Sequence, residues 1–433
     1  MGFTLIVILF AVGYIAITLE HQINLNKTAT ALLTGVLCWT VYALSHAQQT
    51  GHVVSELSHH LAGIAEILFF LLGAMTIVEL IDAHEGFRIL TDRITSRRVM
   101  PLLWILSLFT FFLSALLDNL TTAIVMVSLL RKLIPDENQR KFFAGIIIIA
   151  ANAGGAWSPL GDVTTTMLWI GGQISAGKIM TSLLLPSLVS LLVPLLYLSF
   201  RMKGTIEAPA GTASASTVSS PAGQHKHDGK IMFACGLGSL VFVPIFKTIT
   251  HLPPYMGMML GLGMVWTVSE IIHKDKDEEE RMPFTAVHAL QRIDTSSILF
   301  FLGILLAISS LESARLLESL SAWMSRTIGN LDVIVVLIGL ASSVIDNVPL
   351  VAASMGMYDL ATYPTDHKLW LFMAYAAGTG GSLLIIGSAA GVAVMGMEKI
   401  EFGWYLKRIG LLALMGYLAG AAVFLLQFAL TSG

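Results

Sequence analysis

Ser114-Ala115-Leu116-Leu117-Asp118-Asn119-Leu120-Thr121-Thr122 places a carboxylate and an amide in the middle of a long apolar run. The run starts after Arg97 and Arg98 and stops at Arg131 and Lys132. The pattern returns downstream as Ser342-Ser343-Val344-Ile345-Asp346-Asn347-Val348-Pro349. Basic residues gather on the cytoplasmic side of a membrane. A segment with Arg and Lys at both ends should therefore enter and leave by one face. The stretch 100–133 is predicted to be a re-entrant helical hairpin with Asp118-Asn119 at its tip. Backbone that turns inside a bilayer is tolerated only where protein or a water-filled cavity surrounds it, so the tip marks an internal site.

Working outward, 55% of the 433 residues are hydrophobic and 12% are charged, with a mean hydropathy of +0.78. A soluble domain carries about 25% charged residues. The apolar excess comes in blocks of roughly 18 to 25 residues, the length that crosses a bilayer as a helix. This predicts an all-α polytopic membrane protein; a membrane β-barrel would show short alternating segments. The net charge is −3, and no basic run or aromatic-basic interleaving points to a nucleic-acid partner. Cys38 and Cys235 sit in apolar runs and read as small core residues, without a disulfide or metal framework. No Lys or Arg precedes Lys27. A signal peptide needs a basic leading region, so the first apolar segment is expected to stay as a membrane helix.

Residues 1–60 are expected to hold two helices (3–19 and 28–44) and a polar loop, 45–60, with His46, His52, His59 and His60. The unit 61–200 starts with a helix over 61–81 and continues through the hairpin 100–133 to an apolar stretch, 142–170. That stretch is broken by Asn152-Ala153-Gly154-Gly155-Ala156-Trp157-Ser158-Pro159-Leu160-Gly161-Asp162-Val163-Thr164-Thr165-Thr166. Its Gly, Pro and hydroxyl residues cannot hold an unbroken helix. Two half-helices follow, with freed amides and carbonyls able to coordinate an ion. A helix over 181–200 closes the unit. Residues 201–230 are polar, contain His225 and His227, and read as a flexible linker. The segment 231–292 supplies two connecting helices and a charged loop. The unit 293–433 repeats the plan: a helix over 296–311, a hairpin at 331–363, a broken helix at 369–394 and a last helix over 406–430. The second break is Gly378-Thr379-Gly380-Gly381-Ser382-Leu383-Leu384-Ile385-Ile386-Gly387-Ser388.

Three matches make the two units a duplication. Leu68-Phe69-Phe70-Leu71 and Leu299-Phe300-Phe301-Leu302 are 231 residues apart, the two Asp-Asn pairs 228, and Gly154-Gly155…Gly161 and Gly380-Gly381…Gly387 226. The last match sets Asp162 against Ser388. Basic residues flank the first hairpin but are scarce around the second, so the two open to opposite faces. The expected fold is two inverted repeats, each with a re-entrant hairpin and a discontinuous helix, and about ten spanning helices in all.

The breaks and tips gather hard oxygen ligands and no Lys or Arg: Asp118, Asn119, Thr121, Thr122, Asn152, Ser158, Asp162, Thr164 and Thr165 from the first unit, and Ser342, Ser343, Asp346, Asn347, Thr379, Ser382 and Ser388 from the second. Such a set suits a small hard cation and lacks the counter-charge an organic anion wants. The absence of Cys and His argues against Zn, Cu or Ni. Taking a carboxylate out of water favours its protonated form, so Na⁺ and H⁺ would compete for the same aspartates. The expectation is a secondary transporter, not an enzyme, that exchanges Na⁺ (and Li⁺) for H⁺ by alternating access, with no cofactor beyond the carried ions.

Asp118-Asn119-Leu120-Thr121-Thr122, the core Asn152…Ser158-Pro159-Leu160-Gly161-Asp162-Val163-Thr164-Thr165, and Asp346-Asn347-Val348-Pro349 resemble the NhaD-type sodium/proton antiporters of the ion transporter superfamily. The resemblance runs from about residue 61 to the end. It implies the same fold, activity favoured at alkaline pH, a part in pH homeostasis and salt tolerance, residence in a bacterial inner membrane, and a homodimer. Asp118, Asn119, Asn152, Asp162, Thr164, Thr165, Ser342 and Asn347 fall on positions of that family's functional motifs. Asp118, Asn119, Asp162, Thr164 and Asn347 are the expected Na⁺ ligands.

Two rivals are weighed. Anion carriers of the superfamily, for dicarboxylates, citrate or arsenite, resemble this architecture but tend to have neutral hairpin tips, whereas both tips here carry an aspartate. An intramembrane aspartyl protease would need Gly-x-Gly-Asp, and Pro159 stands where the first glycine belongs; the duplication also has no role in proteolysis.

Overall fold

A computed structural model describes residues 2–18, 20–23, 25–87, 98–202, 204 and 224–431. Among them the chain is helical, without β-strands. It opens with α1 (Gly2–Thr18), α2 (Lys27–Ser45) and α3 (Thr50–Ala83). The polar stretch 45–60, expected as a loop, is helical from Thr50 onward. A helix of 34 residues is about 51 Å long at 1.5 Å per residue, well beyond a hydrocarbon core of about 30 Å. Its polar N-terminal turns therefore extend past the apolar layer, where Tyr42 donates to Glu56 (2.9 Å) and His60 Nε2 meets Ser313 Oγ (3.2 Å). The residues 88–97, with Arg88, Arg93 and Arg97, and most of the expected linker lie outside the described residues.

The first hairpin is α4 (Val99–Ser114) and α5 (Asn119–Leu133), and the first broken helix is α6 (Glu137–Gly155) and α7 (Val163–Ile170). Helix α8 (Ala176–Arg201) follows, then α9 (Gln224–Thr250), which takes in the end of the expected linker, and α10 (Pro254–Ile272). The second set is α11 (Thr295–Ser313), α12 (Leu316–Ile328), the hairpin α13 (Leu331–Ala341) and α14 (Asn347–Met357), the broken helix α15 (Lys368–Gly380) and α16 (Ala389–Glu398), and α17 (Leu411–Thr431). Seven described helices are long and apolar enough to span a membrane, eight if the bent pair α12–α13 counts as one. Helix α1, at 17 residues, falls just under that length, and each broken helix adds one interrupted span.

The sequence reading passed over α12. It is amphipathic, is capped by Arg315 and Gly329, both in the left-handed region, and meets α13 at 115°. Moderate hydropathy spread over an amphipathic face is the pattern of a helix that lies along an interface, and a search for spanning blocks does not detect it.

Helix α8 serves as a ruler for the inversion. At its C-terminal end, Val99 N, where the first hairpin begins, donates to Gly204 O (3.2 Å). At its N-terminal end, Ser175 N and Oγ donate to Asp366 (2.6 and 2.7 Å), and Lys368 binds Asp332 (2.7 Å) across the mouth of the second hairpin. The two hairpins thus open at opposite ends of one helix. Within each repeat the packing is the same. A Cβ on Gly154 would fall 2.2 Å from Phe111 O, and one on Gly380 would fall 2.0 Å from Gly339 O. Ser114 Oγ donates to Ala151 O (2.6 Å) and Ser342 Oγ to Ala377 O (3.1 Å). Helix α15 is buried along nearly its whole length and α6 from Phe143 onward, as helix segments apolar around their circumference must be. They form the centre of the fold and carry the breaks into it.

Candidate functional site

Each hairpin and each half-helix α7 and α16 begins its inner helix with a polar cap, because the first N–H groups of a helix have no partner within it. Asp118 Oδ1 accepts from Thr121 N (2.8 Å) and Oδ2 from Thr121 Oγ1 (2.6 Å). Asp346 Oδ1 accepts from Val348 N (3.1 Å), Asp162 Oδ1 from Thr164 N (3.0 Å), and Ser388 Oγ from Gly391 N (3.2 Å). Three carboxylates therefore sit at three helix N-termini, where the helix dipole favours negative charge. All three aspartates are helix caps by geometry.

Asp162 is the junction. Its Oδ2 accepts from Asn119 Nδ2 (2.8 Å) of the first tip and from Asn347 Nδ2 (3.2 Å) of the second. Asn119 Nδ2 also reaches Asn152 Oδ1 (3.0 Å), and Asn152 Nδ2 donates to Ser382 Oγ (2.9 Å) and Ser388 Oγ (3.0 Å). One network so joins both tips and both breaks. All six side chains are at most 5% exposed. The donors that reach the Asp162 carboxylate are neutral amides, two of them side chains and one backbone.

The remaining expected residues divide. Ser158, Thr165, Ser342 and Thr379 donate to backbone carbonyls of Ala115, Asp162, Gly339 and Tyr375. Their protons are spent on holding the unwound backbone, and Ser158 Oγ also accepts from Leu160 N (3.2 Å). The Thr164 hydroxyl is buried beside the Asp162 carboxylate. Thr121 serves Asp118. Asp118 and Asp346 both lie within electrostatic range of Asp162 without sharing its hydrogen-bonded network. Trp157 stacks on Phe111, with ring centroids 5.9 Å apart, and is a packing residue.

Two clefts flank the network at opposite ends of α3 and α11. One is lined by Met75, Val78, Leu117, Asp118, Ser297 and Phe301. The other is lined by His59, Glu66, Ile170, Glu312 and Met355. Glu66 and Glu312 thus line this second cleft, whereas Glu79 is paired with Arg292 (2.9 Å). Sequence reasoning missed Lys27 of α2, which acts electrostatically on Asp346. It also missed Glu398, held by Arg131 Nε (2.7 Å) and Arg140 Nε (2.6 Å). In the sequence Arg131 marks only the end of the first apolar run. No signal in the sequence links either arginine to a glutamate more than 250 residues away.

Residues 7–378 match a transport family described as "Citrate transporter". The chain is 51% identical over 420 residues to sodium/proton antiporter 1 of Arabidopsis thaliana, covering 96% of this chain and 71% of that one. It is 48% identical to sodium/proton antiporter 2 of the same plant (96% and 98% covered). It is 32% identical to the Na⁺/H⁺ antiporter NhaD of Vibrio cholerae (97% and 90%). Among solved structures, the YdaH transporter of Alcanivorax borkumensis superposes with a TM-score of 0.56 over 94% of this chain and 99% of that one, at 12% identity. That last likeness is one of fold.

Proposed function

The chain belongs to the NhaD-type sodium/proton antiporters of the ion transporter superfamily, and from that membership we propose that it exchanges Na⁺ for H⁺ by alternating access at Asp162. It is a multi-pass membrane transporter, not an enzyme. The observation that carries the mechanism is the Asp162 carboxylate, buried and contacted by an amide from each hairpin tip. A buried carboxylate without a cationic partner gains from either protonation or a bound cation. The two occupants exclude each other, which makes the site an exchanger. Asp118, Thr164 and the oxygens of Asn119 and Asn347 complete the Na⁺ ligand set. Ser158, Thr165, Ser342, Thr379, Ser382 and Ser388 hold the unwound segments around it. Asp346 completes the set from the second half. Li⁺, smaller and equally hard, is carried too.

The family description favours one rival enough to test it, an anion such as citrate. The N-terminus of a half-helix is where a carboxylate substrate would dock. In α7 that position is already filled by the chain's own Asp162 carboxylate.

The deciding experiment uses proteoliposomes with an imposed pH gradient. Adding Na⁺ or Li⁺ should collapse the gradient, and Asp162→Asn should slow the collapse about a hundredfold or more, the equivalent of about 2.8 kcal/mol. Collapse that survives Asp162→Asn, or uptake of labelled citrate in place of cation exchange, sinks the reading. The bilayer must be one that carries a proton gradient, as the bacterial inner membrane does. The homodimer is part of the same proposal, and a mass measurement of the detergent-solubilised protein decides it.

A further inference from the structure

Helix α7 carries Asp162 at its N-terminus and ends eight residues later at Ile170. The turn that follows caps its last carbonyls: Gly171 N donates to Met167 O (2.8 Å), Gln173 N to Leu168 O (2.9 Å) and Gly172 N to Trp169 O (3.3 Å). Trp169 O has a second, shorter partner from α9, a helix outside the hairpins and broken helices. Lys247 Nζ donates to Trp169 O (2.9 Å), and the same ammonium lies over the Trp169 indole, 4.7 Å from the ring centroid. A cation at a helix C-terminus is favourable to the dipole, and one placed over an indole gains a cation–π interaction. Trp169 is buried and Lys247 half-buried, so this is a built contact. A second partner for the ammonium lies nearby. Glu66 of α3 is the acid that acts electrostatically on Lys247. Glu66 also lines the cleft into which Ile170 and Gly171, the end of α7, project.

We propose that Lys247 is a positioning residue for exchange: it grips the C-terminal end of α7 in this conformation and passes to Glu66 when α7 moves. This rests on the alternating-access reading above. The amides of the two hairpin tips fix the Asp162 end of α7, and Lys247 fixes the other. Any displacement of α7 relative to α3 and α9 must break the Trp169–Lys247 contact. The Glu66 carboxylate, within electrostatic reach of Lys247, gives the ammonium a place to go, so the contact is reversible. Lys247 therefore sets the balance between conformations and leaves the ion site as it is.

The test measures conformation and ion binding separately. In a background with Cys38 and Cys235 replaced, a single cysteine is placed at Ser297, in the cleft beside Asp118, or at Gly63, in the cleft beside Glu66, where an added side chain meets open space. A membrane-impermeant thiol reagent reports the modification rate at each. Na⁺-induced proton release from the detergent-solubilised protein reports binding. Lys247→Met keeps the aliphatic stem and removes the charge. It should change the ratio of the two modification rates about fivefold or more, while the Na⁺ concentration for half-maximal proton release stays within about twofold, since a hydrogen bond to a charged group corresponds to about a factor of ten. Lys247→Arg should restore the ratio. Glu66→Gln, which leaves α7 untouched, should move the ratio in the opposite direction. An unchanged ratio in Lys247→Met overturns the proposal. So does the same shift in Lys247→Arg, or a Na⁺ dependence that moves with the ratio. Absence of Na⁺-induced proton release in the unsubstituted protein would fault the exchange reading alone, since the labelling ratio still reports on Lys247.

Discussion

At the scale of residues, the two tip asparagines are unequal. Asn119 lies 2.8 Å from the Asp162 carboxylate and also binds Asn152, whereas Asn347 makes one contact at 3.2 Å. Asn119→Ala should raise the Na⁺ concentration for half-maximal proton release about tenfold, and Asn347→Ala about threefold, following the usual worth of a hydrogen bond to a charged group. Equal shifts would mean that the network is not organised around Asp162. The repeat is uneven in the same sense. The first half supplies Asn152 and Asp162 where the second has Gly378 and Ser388. Asp118→Asn should therefore reduce exchange in proteoliposomes more than Asp346→Asn does, and a larger loss from Asp346→Asn would reverse the ranking. These residues were legible in the sequence because each is a polar group in an apolar run. Lys247 and Lys27 were not, because each reaches the core from a helix that carries no motif.

At the scale of elements, helix breakers in apolar sequence located the hairpins and broken helices within a few residues. The stretch 45–60 misled because polar composition was taken for a loop, although nothing in it stops a helix once it leaves the apolar layer. Two junctions between elements lend themselves to measurement. Glu398, at the end of α16, is 1% exposed and binds Arg131 of α5 and Arg140 of α6, and Arg131 also donates to Met397 O. Glu398→Gln should destabilise the protein by about 2–3 kcal/mol. That is below the usual range for a broken buried pair, because Arg131 is itself half exposed. Thermal unfolding in detergent measures it. The second junction lies just beyond α3. His84 Nδ1 is 2.7 Å from Leu80 O, which can only accept, so that nitrogen carries the proton. Its Nε2 must then accept from His273 Nε2 at 2.9 Å. Burial holds His84 below the ordinary imidazole range; the Leu80 carbonyl and Asp228 oppose it, and Lys276 adds to it. A base kept neutral when folded binds fewer protons than when unfolded. Its contribution is whole above about pH 6.5 and is lost as pH falls below that, by at most about 1.4 kcal/mol per unit. His84→Gln should flatten this part of the stability–pH curve; an unaltered slope would exclude His84 as its source.

At the scale of the molecule, the inversion follows from a few contacts at the two ends of α8, and the loop charges had already pointed to it. What the charges left unsaid is how the halves share one centre. Asp162 belongs to the first repeat by sequence and to both by contact. Each carboxylate near that centre also caps a helix, and this bears on how long an ion stays. Part of each negative charge is offset in advance by the positive end of its own helix. At the proposed site an arriving Na⁺ would meet less attraction than three bare carboxylates would exert. A storage protein would gain nothing from that weakening. A carrier must release its cargo on every cycle, and such caps would shorten the residence time of the ion while keeping the site selective for positive charge.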